Sequence, residues 1–353
     1  MTSWQAVREF EPDGGAREAA KARIAALGVP EGSLGRLHEF AVFMAGIRGG
    51  LMPLKTCKTL VFCGDHGVER RGVSAFPRSV TRSNTLLMAE GSATVSYFSE
   101  ILGTDLTIVD VGIDGPSISE LEKTKFKWPF LDRRVAQGTG DITIEAAMSE
   151  EQVAEAISVG YNMVEESPRP DILVLGDMGI GNTTACGAIL AARFSVSPNL
   201  TTGNGSGVFG HQLEKKIACV TAATDRFREA GRQGTPLDIL RELGGLEIAA
   251  IVGALIGAAA HRVPVVLDGL IVSTAYSIAS SLVRGMDHLC LSGTRSADAG
   301  YNILEQQLAL RPILDLGMRL GEGTAALLCF PLLKTASQQL RASATREDLL
   351  RES

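Results

Sequence analysis

Apolar positions along the chain follow two different spacings. Residues 15–48 have helical spacing: Ala19, Ala20, Ile24 and Leu27 recur on one face, and Pro30, Glu31 and Gly32 break the run. A second helix is predicted after Ser33, with Leu37, Phe40, Ala41 and Met44 on its apolar side. From Lys58 the pattern changes to short apolar runs at 59–63, 106–111, 172–176, 263–268 and 288–292. Each is rich in β-branched residues or leucine, bounded by Gly or Asp, and separated from the next by helical stretches. Buried strands alternating with helices predict an α/β fold with a parallel sheet covered on both faces. Ligands of such sheets bind at the carboxyl ends of the strands, where this chain carries its polar tips. The most apolar stretch, 248–260, reads as a buried helix, because a bilayer span takes about 20 residues. The charged tail at 338–353 predicts a helix packed on the N-terminal helices. No internal repeat or low-complexity linker interrupts the chain.

Composition narrows the function. With 353 residues the chain can bury a full core without a disulfide or metal. A net charge of −6 and only 5% aromatic residues argue against nucleic acid as a partner. The six cysteines form no CxxC pair and predict reduced, buried thiols in a cytoplasmic protein. Residues 1–12 hold acidic side chains and no apolar stretch, so no signal peptide is expected there. Neither a metal nor a cofactor is predicted, and no membrane partner.

Four segments carry candidate chemistry. The first, 175–184, places Gly176, Gly179 and Gly181 at a strand end opening into a helix, followed by Thr183 and Thr184. Glycines allow close backbone approach and free helix amides suit a phosphate, but the segment lacks the GK[ST] of a P-loop. Taken alone it fits a phosphate loop or a plain tight turn. The second, Gly203, Asn204, Gly205, Ser206 and Gly207, fits an anion loop or a flexible one; Lys216 follows on a helix, where a solvated charge is the ordinary reading. In the third, 318–325, Glu322 stands between Gly321 and Gly323, read as exposed on a strained turn. It is suited to general-base work or to pairing with a helix dipole. In the fourth, Asp65 and His66 at a strand tip suit acid–base chemistry, metal ligation or the tying of loops.

Together these segments resemble the nicotinate-nucleotide–dimethylbenzimidazole phosphoribosyltransferase family of cobalamin assembly. The matching stretches, in the family's order, are 32–37, 65–68 with 72–74, 109–114, 138–142, 178–184, 244–248, 264–269 and 318–323. The resemblance implies a doubly wound, Rossmann-like sheet in a large domain (51–334) and a small helical domain from both chain ends (1–50 with 335–353). It implies Glu322 as the catalytic base, from the family's MRLGEG. It implies nucleotide and phosphate contacts from Asp177, Gly179, Ile180, Gly181, Asn182, Thr183, Gly205, Lys216 and Gly321. The acceptor pocket maps to Phe76, Asn84, Met178 and Leu320. Substrates would be nicotinate mononucleotide and an aromatic base or a phenol, and the assembly a homodimer or a heterodimer with a related chain.

The departures from the family are specific. Asp177 replaces the usual Glu, Phe209 and Gly210 replace an acidic pair, and 293–298 lacks the family's His. Phe76 offers no polar group, and an apolar pocket suits a phenol or p-cresol better than a benzimidazole nitrogen. Two rivals follow. One is an enzyme using phosphoribosyl pyrophosphate, because 265–269 with Ser273 and Thr274 loosely resembles its diphosphate motif; it lacks the second acidic residue after Asp268. The other is a non-catalytic partner subunit.

Overall fold

The apolar runs pair into one sheet. In the computed structural model, which describes residues 3–118, 123–166, 169–231 and 234–351, six strands form a parallel sheet. Of the terminal segments expected to be helical, Met1, Thr2, Glu352 and Ser353 lie outside the described residues. The strands are β1 (Cys57–Gly64), β2 (Asp105–Gly112), β3 (Phe130–Asp132), β4 (Ile172–Met178), β5 (Val265–Leu267) and β6 (Cys290–Ser292), in the spatial order β3-β2-β1-β4-β5-β6. The sheet is thus doubly wound, and the winding reverses between β1 and β4, where such folds open a crevice at the carboxyl ends.

Alternation along each strand assigns its two faces to different cores. Leu60, Phe62, Val109, Val111, Leu173, Leu175, Val265 and Leu267 pack with the helices Glu150–Glu165, Asn182–Phe194, Leu246–His261 and Leu270–Leu282. On the other face, Val61, Cys63, Leu106 and Ile108 meet Met88, Ala89 and Val95. Beside them Cys57, Ile172, Val174 and Val266 pack on Ala20, Phe40, Met44, Leu333 and Leu340 from the two chain ends. All six cysteines are free and buried.

The two chain ends clasp each other. Arg23 donates to the carbonyls of Leu340 and Ser343 at 2.7 Å each, and Leu27 forms a bridge with Thr345. The helix Phe330–Ala342 runs through position 335, while Trp4 and Phe10 join the main core rather than the terminal helices.

Two expectations need correction, and one strand is unforeseen. The run 263–268 yields only Val265–Leu267 as strand, since Pro264 has no N–H to donate and contributes its carbonyl to Leu173 N at 2.9 Å. In 288–292, His288 ends a short 3-10 turn and pairing begins at Cys290. The edge strand β3 has no counterpart in the sequence pattern, because two half-buried residues and an exposed aspartate after Pro129 carry no alternation to read. Among the described residues no helix is long and apolar enough to cross a membrane.

Candidate active site

The crevice predicted at the strand ends is a cavity of about 510 Å³. Asp177 and Met178 reach it from the end of β4, Asp268 from just beyond β5, and Thr294, Ser296 and Asp298 from the segment after β6. The helix Ser79–Glu90 supplies Val80 and Asn84, and the turn 318–322 contributes the rest of the wall beside it. Phe76, Asn84, Met178, Leu320, Asp177, Gly179, Ile180, Asn182, Thr183, Gly205, Gly321 and Glu322 all line it. Gly181 and Lys216 stand behind the wall. Gly181, at φ +103°, caps the helix Asn182–Phe194 and packs against His66.

The glycine segment is shorter as a loop than its sequence implies. Pairing continues through Met178, so Gly176 and Asp177 belong to β4 and only Gly179–Gly181 turn into the helix. Ile180 N is held by Thr81 Oγ1 at 3.1 Å. Gly176 is required by contact: a Cβ there would lie 2.4 Å from the backbone carbon and oxygen of Glu322.

Glu322 is not exposed, as its glycine neighbours implied, but 4% accessible and at φ +62°. The turn lies down on the sheet, with Gly323 over Thr59 and Val174. Asn84 Nδ2 donates to Glu322 Oε1 at 2.6 Å, and Glu322 Oε2 is buried without a hydrogen-bond partner. Burial raises the Glu322 pKa above the ordinary carboxylate value, against the opposing hydrogen bonds from Asn84 and the Val95 backbone. A buried carboxylate with one oxygen unsatisfied is poised to accept a proton from a bound group.

Lys216 is likewise buried, 1% accessible, not the solvated charge that its helix position implied. Its Nζ donates to Thr183 Oγ1 and to the Gly203 carbonyl, each at 2.9 Å. Burial pushes its pKa down to about 8, partly offset by the charge of Asp298. Asp298 also accepts from Gly205 N at 3.2 Å, and Arg319 donates to the Gly205 carbonyl, so the second glycine loop is ordered from both sides.

A family profile described as phosphoribosyltransferase matches residues 10–349. The nicotinate-nucleotide–dimethylbenzimidazole phosphoribosyltransferase of Roseiflexus castenholzii is 38% identical over 94% of this chain and 93% of its own length. The enzyme of that name from Chloroflexus aggregans is 39% identical over 97% and 95%. The crystal structure of CobT from Thermus thermophilus superposes with a TM-score of 0.88 at 32% identity, covering 95% of this chain and 98% of that one. The chain belongs to the nicotinate-nucleotide–dimethylbenzimidazole phosphoribosyltransferase family.

Within this phosphoribosyltransferase several site features lie beyond local sequence reading. Burial raises Asp177 well above the usual range, and the charges of Asp268, Glu247 and Glu322 add to it, opposed by a 2.9 Å hydrogen bond from Asn182 Nδ2. Fully buried His66 and Glu247 pair at 2.6 Å beneath the crevice, so His66 ties the β1 end to the helix Leu246–His261. Asp65 Oδ2 accepts from Asp114 N at 2.9 Å. Both therefore join loops. Among the described residues no group of three or more His, Cys, Asp or Glu is placed to hold a metal. Val80 joins the site without a sequence motif that singles it out, whereas Asp268, Thr294 and Ser296 fall in stretches compared with the family above but given no site role there.

Proposed function

We propose that this phosphoribosyltransferase moves phosphoribose from nicotinate mononucleotide to 5,6-dimethylbenzimidazole, giving the α-ribotide and nicotinate, with Glu322 as general base. The observation that carries this reading is the half-satisfied carboxylate of Glu322, which lines one cavity together with the apolar side chains Phe76, Val80, Met178 and Leu320. The acceptor would lie against those side chains with its N–H toward Glu322. Thr183, Gly205 and the amides after β4 other than that of Ile180 would hold the nucleotide phosphate, with the Lys216 ammonium behind them adding its charge.

In the reaction, the acceptor nitrogen forms a bond to C1′ on the face opposite the pyridinium. The C1′–N bond breaks, its electron pair returns to the pyridine nitrogen, and the ribose centre inverts from β to α. The acceptor's proton passes to Glu322. Such base assistance is worth about 10²–10⁴ in rate. No pyrophosphate leaves, so the step places no demand on a divalent metal. The test is to incubate purified protein with nicotinate mononucleotide and a panel of benzimidazoles, purines and phenols, identifying ribotides by mass. A panel yielding no ribotide would sink the reading.

A second acceptor class is favoured by one observation. The Asn84 amide is committed to Glu322 and to Met178 Sδ, at 2.6 and 3.4 Å, leaving an otherwise apolar wall for the ring. That wall suits phenol or p-cresol, whose O–H would give its proton directly to Glu322. Competition between dimethylbenzimidazole and phenol, with and without a related chain, decides between them; the same samples, sized by light scattering, distinguish a homodimer from a heterodimer. If the chain is instead a non-catalytic partner, Glu322→Gln leaves product formation unchanged.

A further inference from the structure

Glu322 occupies a conformation that it would not hold alone. A glutamate at φ +62° stands in the left-handed region, which side chains other than glycine and asparagine seldom occupy. Something outside the turn must fix it there. Beneath the turn lies Asp268, just past the end of β5 and 1% accessible. Its Oδ2 accepts from Gly323 N at 3.1 Å and its Oδ1 from Ala326 N at 3.0 Å. Both oxygens thus hold main-chain amides that follow Glu322, one in the turn itself and one in the short helix Thr324–Leu327 that it leads into. Leu267, the residue before Asp268, is itself anchored by Gly293 N donating to its carbonyl at 2.8 Å. The carboxylate is therefore a rigid post rising from the sheet, and the base-bearing turn hangs on it.

We infer that Asp268 is the positioning residue of the base: by gripping the amides of Gly323 and Ala326 it fixes the Gly321–Gly323 turn and aims Glu322 at the acceptor. This inference rests on the proposed role of Glu322. Charge is not the route. The groups that shift Glu322 are its own burial and the hydrogen bonds at Asn84 and Val95, whereas the charge of Asp268 acts on Asp177. An effect through Asp177 would fall on the nucleotide's KM; an effect through Glu322 falls on kcat.

Asp268→Asn is the informative change. One of its two side-chain atoms becomes a donor, so one turn amide loses its acceptor while size is kept. A base misplaced by about 1 Å costs on the order of 100-fold, so kcat should fall about 10- to 100-fold with KM for nicotinate mononucleotide within about twofold. In the Glu322→Gln background the same change should remove little more, because residues acting as one unit do not multiply. A crystal structure of Asp268→Asn should show the Glu322–Asn84 hydrogen bond lost. Asp268→Ser carries the same tests if the asparagine variant does not fold. An unchanged kcat, a loss that multiplies fully with Glu322→Gln, or an intact Glu322–Asn84 bond would each overturn the inference. If the unaltered protein makes no ribotide, the functional reading fails, and the crystal structure still decides whether Asp268 holds the turn.

Discussion

Asn84 Nδ2 sits 2.6 Å from Glu322 Oε1, so one side chain both anchors Glu322 and tunes it. Burial raises the Glu322 pKa and the Asn84 bond lowers it. A general base works ionised, so kcat falls as pH drops through that pKa. In Asn84→Leu the lowering contribution is gone, and the acid limb should move to higher pH. The check is kcat against pH for both proteins; a limb that stays put or moves to lower pH refutes the assignment.

Glu322→Gln should separate activity from stability. Turnover falls by about 10²–10⁴, because the amide cannot take a proton. The folded pKa lies above the ordinary 4.5, so the unfolded chain releases this proton first, and stability from this group is lost as pH rises through the folded value. Glutamine has no such loss and can still accept from Asn84. Its Tm should exceed that of the unaltered protein at alkaline pH, with the gap closing in acid. A Tm that is lower at alkaline pH contradicts the burial argument.

Lys216 predicts a pH dependence of nucleotide binding. With its pKa down at about 8, it loses charge as pH passes that value, and KM for nicotinate mononucleotide should climb there. Hydrogen bonds to charged groups contribute about 1.5–3 kcal/mol, so Lys216→Met should raise KM by about 10- to 150-fold. For stability the sign is opposite: between about 8 and 10.5 the unfolded chain holds the extra proton, so this group's contribution grows more favourable with rising pH. A KM that is flat across this range in the unaltered protein argues against a phosphate role.

Two glycine substitutions distinguish site from scaffold. A Cβ on Gly176 would strike the Glu322 backbone at 2.4 Å, so Gly176→Ala should push the base-bearing turn off the sheet and abolish turnover. A Cβ on Gly160 would lie 1.7 Å from the Ala250 carbonyl, where the helices Glu150–Glu165 and Leu246–His261 touch. Gly160→Ala should lower Tm by several degrees while the surviving folded protein keeps its KM. Equal effects on kcat would show that the turn is not the sensitive element.

How much of this is legible in the sequence differs residue by residue. Strands β1, β2 and β4 announce themselves as continuous apolar runs because both faces of the sheet are covered. Lys216 misleads by its charge alone, although a signal is there. Lys216, Cys219, Val220, Ala223, Thr224 and Phe227 repeat at helical spacing and are all buried, so the lysine lies on the apolar stripe. Glu322 has no comparable local signal. Two flanking glycines read as an exposed turn, whereas Glu322 is packed against Gly176, Asn84 and the Val95 backbone, all remote in sequence. His66 and Glu247, 181 positions apart, are equally silent until the sheet brings them together.

The clasp between the chain ends governs when this molecule becomes an enzyme. A ribosome delivers β1, β4 and both glycine loops long before the turn of Glu322 and the helix Phe330–Ala342. Until that helix swings back onto the N-terminal pair, the nascent polypeptide carries Ile172, Val174 and Val266 without their final cover. A half-made copy therefore lacks both the Glu322 turn and the cover over this face of the sheet, and apolar surface left open in this way is what aggregation and quality control act on.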